Sequence, residues 1–451
     1  MNTLVLATLF FTALGMSYFK GIRWAFPFAL LPGLLLFFQT VGVAIPMIPD
    51  VNAVSAVTYG ALVGFVIKGG EPLNMRWCGV DTAVVALALV YIASSFAHYD
   101  TWEAVSAGGS RVLLYLGPYF LGRVALPDIE VRRASLWVLC IISVILVPPT
   151  LVEWRLSPYF LSRILEHNFG LIEAHNTQTY HRFGFYRTIA TFAHPIDNGN
   201  VMTMVAGLIA ALAYSVGLKL TNPKVLVGLA AASIVALTAM SFTSFMVIAI
   251  ALTMVVTIRF MPWVGHAAWL PVAIGVLGFA LLTSVLLGLD LERPDFTGTE
   301  ANFNGSLYMR MLIVQTVFDE AIGSGPLGAG ENFQFEELFM NSIDNAYLLM
   351  LLEQGWIYLL LFLALPFLLA GEVGKALRML PNTDTRMPLI VNFSVLVAVM
   401  AGMYTVWFGF AYEPVWVVML GLTVSMAHFV RDRATATAPQ SYPVGMQPAM
   451  A

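Results

Sequence analysis

Long apolar segments recur along the whole chain, and this recurrence restricts the fold more than any other feature. Most are about 17 to 25 residues long, the length that a helix needs to cross a hydrocarbon core of roughly 30 Å. Hydrophobic residues make up 59% of the 451 residues and charged residues only 11%, so one or two soluble cores could not bury the apolar surface. The sequence predicts an all-α polytopic integral membrane protein with about 12 to 13 transmembrane helices.

The predicted spans define the domain organisation. We predict them over residues 3–19, 24–46, 54–68, 79–97, 111–126, 134–153, 198–217, 225–240, 242–258, 267–288, 343–370, 387–411 and 414–430. These give N-terminal transmembrane helices (1–153), a first periplasmic segment (154–197), middle transmembrane helices (198–288), a large periplasmic loop (289–342), C-terminal transmembrane helices (343–430) and a disordered cytoplasmic tail (431–451). The first span lacks a cleavage-site pattern, so we expect it to be retained.

The connections between spans carry an uneven distribution of basic residues, which predicts the topology. Most of the 22 lysines and arginines, and every lysine, fall on alternate connections, which the positive-inside rule assigns to the cytoplasm. The others are all arginine: Arg111, Arg155, Arg163, Arg182, Arg187, Arg293 and Arg310. Arginine binds phosphate and carboxylate in a bidentate manner. Segments 154–197 and 289–342 therefore share the external face, where we expect the function.

The first polar segment combines histidines and arginines with a short apolar repeat. Leu161, Ile164 and Leu165 lie at helical spacing and predict an interfacial helix, either an anchor or part of a site. The histidines of the segment, none of them an i, i+4 pair, are His167, His175, His181 and His194. No cysteine joins them, so we expect no metal. His194, just before Pro195, is predicted to lie at the mouth of a cavity near Arg187.

The second polar segment is acidic, and its one amphipathic pattern begins at Arg310. The sequence RMLIVQTVFDEAI predicts a helix that starts at Arg310. A cation at a helix start opposes the helix dipole, which suggests an external anionic partner. The alternative is an interfacial arginine whose side chain reaches the lipid headgroups. The glycine-rich stretch GSGPLGAG lacks the ending of a nucleotide-binding loop and predicts a tight turn that re-enters the membrane.

The helix that follows this turn begins with two polar residues. Asp344 and Asn345 precede a long apolar run and either belong to a site or cap the helix. Glu353 lies deeper in the same run. An acid at that depth needs a partner, so Glu353 marks a cavity floor or a buried hydrogen bond.

These residues resemble the O-antigen ligase and Wzy-type polymerase superfamily of bacterial envelope glycosyltransferases. In the ligase signature nine residues separate a polar residue from a Gly, and two residues separate that Gly from a Gly, Thr or Tyr, a spacing matched by Asn345, Gly355 and Tyr358. Arg310 followed by a Pro-Leu-Gly-x-Gly turn, with Gly328 and Gly330, is similar to the family's large loop. The stretch YRTIATFAHPIDNG resembles the start of the middle helices in exopolysaccharide members. The resemblance covers roughly residues 180–430 and implies a GT-C-like fold.

Two departures from the family pattern favour a polymerase over a ligase. The signature histidine of ligases is Asp344 here, and the arginine of their tight middle hairpin is absent, since Phe242 and Phe245 lie there. By resemblance, the donor and acceptor are glycans on undecaprenyl diphosphate, and the enzyme needs no metal or other cofactor. Arg310, Arg187 and Arg182 would bind the diphosphate.

The resemblance also suggests roles for the remaining candidates. Asp344 would act as base or orient the acceptor, Asn345 would position it, and His194 is the rival base. The expected partners are the bilayer and other polysaccharide assembly and export proteins, without nucleic acid, and the expected location is the bacterial inner membrane. A ligase that transfers glycan to lipid A core, a transporter or flippase, and a non-catalytic assembly partner remain alternatives.

Overall fold

The computed structural model describes most of the chain. The described residues are 2–37, 42–43, 51–70, 73, 75–156, 160–161, 163–164, 181–182, 184–192, 194–288, 303–330, 343, 345–380, 383–405 and 412–437, of which 181, 303–310, 383–384, 405 and 433–437 are described by their backbone alone.

Helices form nearly all of the described structure. They are α1 (Asn2–Lys20), α2 (Ala53–Ile67), α3 (Gly79–His98), α4 (Thr101–Ala125), α5 (Ile129–Arg155), α6 (Pro195–Ser215), α7 (Pro223–Thr238), α8 (Phe242–Phe260), α9 (Pro262–His266), α10 (Trp269–Leu287), α11 (Phe303–Gly323), α12 (Ala346–Met379), α13 (Thr383–Gly402) and α14 (Tyr412–Thr437). Among the described residues, nine helices are long and apolar enough to cross a membrane, and three further apolar segments are shorter. The predicted all-α polytopic architecture is confirmed.

The bundle has a buried centre and a lipid-facing periphery. The most apolar windows of α6 and α14 are 89% buried, whereas that of α10 is only 11% buried. In α10 the apolar residues point outward with no polar face, as expected where lipid replaces water. The described parts around α6, α13 and α14 therefore form the protein core, and α10 lies at its edge.

The second predicted span, 24–46, is not a continuous α-helix. Residues Ile22–Phe37 wind as short 3-10 and π turns. Pro27 and Pro32 lie in this segment, and proline lacks the N–H that continues an α-helical ladder. Gly42–Val43 (β1) then pairs antiparallel with Val51–Asn52 (β2). The prediction of a helix as far as residue 46 is wrong.

Other predicted boundaries shift outward. α4 begins at Thr101 instead of residue 111, and α12 continues to Met379 instead of 370. α14 extends to Thr437, so the predicted disordered tail from residue 431 begins as helix. These extensions carry charged residues, which a hydropathy criterion trims from helix ends. Of the predicted interfacial helix over 161–165, Leu161, Arg163 and Ile164 are described and are helical, and residues 162 and 165 lie outside the described part.

Candidate functional site

Two arginines of the first polar segment bind the turn between α7 and α8. Arg182 Nη1 donates to the carbonyl oxygen of Met240 at 2.8 Å, and Arg187 Nε donates to that of Ala239 at 3.2 Å. Met240 has a positive φ of 48°, which fits a tight hairpin. Partial burial lowers the pKa of Arg182 below its usual value. The hairpin contains no arginine, but two arginines of the first polar segment donate hydrogen bonds to its carbonyl oxygens.

Further hydrogen bonds fix the same segment between α6 and α7. The amide of Thr188 donates to the carbonyl of Thr238 at 3.3 Å, and the two hydroxyls lie 3.2 Å apart. From α6, Asn198 Nδ2 donates to the carbonyl oxygen of Thr188 at 3.1 Å and to its hydroxyl at 3.0 Å. Arg187 is therefore attached to a backbone that is bonded on both sides.

Glu153, at the end of α5, binds backbone amides at both ends of the first polar segment. Its side chain is 1% exposed and accepts backbone amides from Leu161, Ile189 and Ala190 at 3.2, 3.1 and 2.9 Å. The amides of Ile189 and Ala190 both reach Glu153 Oε2, and the chain turns there, with a φ of 51° at Ala190. Glu153 is not among the site residues predicted from the sequence. An acid at the end of an apolar span was the available signal.

His194 caps α6. Its Nδ1 accepts the amide of Ile196 at 3.2 Å, and Pro195 occupies the first helical turn, where a missing N–H costs nothing. Nδ1 must be unprotonated to accept this bond. The prediction that His194 lies at a cavity mouth remains untested. His167 and His175 lie outside the described residues, as does the side chain of His181.

The amphipathic helix predicted around residues 310–322 is present as α11, but it starts earlier. α11 begins at Phe303, so Arg310 lies within it and not at its start. The argument from the helix dipole is therefore wrong, because the dipole acts only within the first turn. Ile313, Val314, Val317 and Ala321 are buried in a cluster with residues of α12. The side chain of Arg310 lies outside the described part of the structure.

The glycine-rich stretch after α11 forms a turn that docks against a break in α12. At Gly355 the backbone has φ 85° and ψ 176°, which divides α12 in two. The amides of Ala329 and Gly330 donate to the carbonyls of Leu352 and Glu353 at 2.6 and 3.1 Å.

On the other side of the break, the turn supplies acceptors. The amides of Trp356 and Ile357 donate to the carbonyls of Gly325 and Pro326 at 3.3 and 3.4 Å. The turn thereby satisfies backbone groups that a broken helix leaves without partners in a medium that offers none. From α3, Ser94 Oγ donates to the carbonyl oxygen of Leu327 at 2.6 Å.

The residues of the predicted signature each have a structural position. Asn345 is 3% exposed, and its Oδ1 accepts the amides of Tyr347 and Leu348, each at 3.1 Å, so it caps α12. Gly355 is the break. Tyr358 is 2% exposed, and its hydroxyl donates to that of Tyr115 at 2.7 Å. Asp344 lies outside the described residues.

Glu353 lines a small buried cavity, and several of the other lining residues are not among the site residues predicted from the sequence. The cavity measures about 20 Å³, room for about one water, and Arg111, Tyr115 and Glu413 also line it. Arg111 Nη2 lies 3.3 Å from Glu413 Oε2, and its guanidinium lies 5.8 Å from the ring of Tyr91. Gln354 Nε2 donates to Glu353 Oε2 at 2.9 Å. The sequence placed Arg111 on the external face without a specific role. Its carboxylate partner, Glu413, lies on α14, 302 positions later in the chain.

A larger apolar groove lies between α10, α11, α12 and α13. It encloses about 260 Å³, and Phe279, Phe318, Leu351 and Met400 are among its lining residues. At one end it reaches Asn345. There Tyr404 and Thr283 share a hydrogen bond of 2.7 Å.

The groove and the arginine-bound hairpin lie at the same end of the bundle. A Cβ on Gly402, in α13, would lie 3.2 Å from Thr243, which follows the hairpin in α8. On the groove side, Tyr347 donates to the carbonyl of Met400 at 2.7 Å. Contacts through α13 thus connect the end of the groove to the hairpin that holds Arg182 and Arg187.

Within the described residues, no group of three or more His, Cys, Asp and Glu side chains could hold a metal ion. No family of known proteins and no curated protein matches the chain.

Proposed function

We propose that this protein is a membrane glycosyltransferase that polymerises glycan repeat units carried on a lipid diphosphate, of the type that the resemblance to Wzy-type polymerases implies. The observation that supports this most directly is the apolar groove that ends at Asn345, on the same end of the bundle as Arg182 and Arg187. A lipid-linked diphosphate requires both an apolar channel and cations beside its polar end.

In this proposal the arginines act on the leaving group. An acceptor hydroxyl attacks the anomeric carbon, the bond from that carbon to the phosphate oxygen breaks, and the lipid diphosphate leaves with the electron pair. Cations placed where this charge develops lower the barrier. Arg187 and Arg182 are held by the hairpin carbonyls, so little reorganisation is needed. Arg310 is the proposed third cation, carried by α11 along the groove.

The hydroxyl proton requires a base. Asp344, which directly precedes the cap residue Asn345, is the proposed base, because a carboxylate at the edge of the membrane is partly desolvated. His194 is the weaker candidate, because its Nδ1 accepts a backbone amide. Asn345 would act by fixing the start of α12 and hence the position of Asp344.

The test is chain growth in vitro with purified protein and lipid-linked repeat units. We expect Arg187→Ala, Arg182→Ala, Arg310→Ala and Asp344→Asn each to slow polymerisation by about 100-fold or more, the scale of one lost electrostatic contact in a transition state. Arg163→Ala is the matched control, because Arg163 is exposed in the same segment. Unchanged chain growth in all four variants would refute the site.

Two additional measurements separate the alternatives. Transfer to lipid A core without chain extension would make the protein a ligase. Movement of lipid-linked glycan across vesicles by protein that forms no glycosidic bond would make it a flippase. A stability control accompanies these measurements. The thermal stability of Arg182→Ala and Arg187→Ala is compared with that of Arg187→Lys, which keeps the positive charge, and shows whether a loss of activity reflects a damaged hairpin.

A further inference from the structure

A second cavity lies at the opposite end of the bundle from the end of the apolar groove that reaches Asn345. It encloses about 670 Å³, a volume typical of small-ligand sites. The beginning of α5, the end of α6, the end of α12, the beginning of α13 and the end of α14 surround it. All these helix ends belong to the face where the lysines and most arginines of the sequence are concentrated.

Three arginines line this cavity. Arg132 is 5% exposed and donates to the carbonyl of Ser215 at 3.1 Å, with its guanidinium 4.8 Å from the ring of Phe429. Arg386 donates from Nε and Nη2 to the carbonyl of Leu380, and Arg378 donates from Nη1 to that of His266 at 2.9 Å. Backbone carbonyls carry no net charge, so the carbonyl contacts of Arg378 and Arg386 orient these guanidinium groups without neutralising them.

The described residues that line the cavity include neither Asp nor Glu. Glu372 on α12 is bound by Lys375, His428 and Arg431, and Asp432, two positions after Val430 on α14, is exposed. An anion with several oxygen acceptors therefore fits this cavity better than a neutral or cationic ligand.

The rest of the described lining is mostly apolar, which indicates what kind of molecule carries the anion. Leu389, Met426, Phe429 and Val430 lie beside the arginines, and Tyr214 and Thr385 add hydroxyl groups. A free phosphate ion would gain nothing from the apolar side chains. A phospholipid would place its phosphate at the arginines and its first acyl carbons against the apolar wall.

We propose that this cavity binds the headgroup of an anionic glycerophospholipid of the surrounding leaflet. The bound lipid would join α5, α6, α12, α13 and α14 at the end opposite the proposed active site. The proposal does not depend on the proposed function.

The test uses full-length protein purified in detergent, with bound lipid counted by native mass spectrometry. We expect phosphatidylglycerol to be retained in preference to phosphatidylcholine. Arg378→Gln and Arg386→Gln should each weaken phosphatidylglycerol binding about fivefold, because each arginine near an anionic headgroup contributes about that factor. Arg133→Gln is the matched control: Arg133 adjoins Arg132 but is half exposed and pairs with Glu130.

Three results would overturn the proposal: equal retention of the two lipids, an equal loss of binding in Arg133→Gln, or complete displacement by millimolar inorganic phosphate, which would identify a free anion as the ligand. Arg378 is exposed and makes one backbone contact, so Arg378→Gln should fold even where Arg386→Gln, which loses both bonds to Leu380, does not.

Discussion

Gly328 and Gly355 meet backbone to backbone, so that a Cβ atom added to Gly355 would lie 2.4 Å from the amide nitrogen of Gly328. A Cβ on Gly328 would in turn lie 2.2 Å from the carbonyl oxygen of Glu353. Both glycines have positive φ. The turn after α11 and the break in α12 therefore form one unit, and neither can accept a side chain without moving the other.

Alanine at Gly328 or Gly355 should destabilise the protein severely. The left-handed backbone costs about 1–2 kcal/mol for a non-glycine residue, and the clash with fixed backbone adds to it, so we expect a total loss of at least about 3 kcal/mol. Thermal unfolding in detergent measures the effect. Gly323→Ala is the control, because no atom lies within 4 Å of its added Cβ and its φ is not positive. A Gly328→Ala variant as stable as Gly323→Ala would contradict the docking of the turn.

The Tyr115–Tyr358 hydrogen bond should show coupling in a double-mutant cycle. Tyr115→Phe and Tyr358→Phe each leave a buried hydroxyl with one partner fewer and should cost about 1–2 kcal/mol. The double variant removes both hydroxyls, so we expect it to cost less than the sum of the single variants. Strict additivity would mean that the two hydroxyls do not interact. Tyr18→Phe, at an exposed position, should leave stability unchanged.

Two substitutions distinguish a capping role of Asn345 from a chemical role. Serine also caps helices well, so Asn345→Ser should keep most of the stability, whereas Asn345→Ala should lose about 1 kcal/mol. If Asn345 acts only by fixing the start of α12, polymerisation should follow stability and survive in Asn345→Ser. Lost activity in a stable Asn345→Ser variant would instead indicate direct contact with substrate.

Removing the charge of Glu153 should loosen the first polar segment. Glutamine offers one acceptor oxygen where the carboxylate accepts three amides on two oxygens, so at least one buried amide loses its partner. A loss of about 1 kcal/mol increases local opening about fivefold. Trypsin cleavage after Arg182 and Arg187 reports this opening.

Glu103→Gln provides the matched control for that experiment, because Glu103 is exposed on α4 and undergoes the same chemical change. Equal trypsin cleavage in the two glutamine variants would show that Glu153 does not hold the segment.

The sequence predicted those features that depend only on residues close together in the chain. The apolar runs predicted the long helices because a membrane span needs only length and hydropathy, and GSGPLGAG predicted a tight turn because glycine supplies the required backbone conformations. The start of α11 was misplaced by seven residues, since Asn304, Gly305 and Ser306 have low helix propensity and did not indicate a helix.

Only the tertiary structure decided how distant parts of the chain meet. Arg182 and Arg187 bind a hairpin more than 50 residues away, Arg111 faces Glu413, and the glycine turn fills the break at Gly355. The turn satisfies backbone groups at Gly355 that the membrane interior would otherwise leave without a partner. Hydropathy reveals that such groups exist, but which group meets which depends on how the helices pack, and residue spacing does not encode that packing.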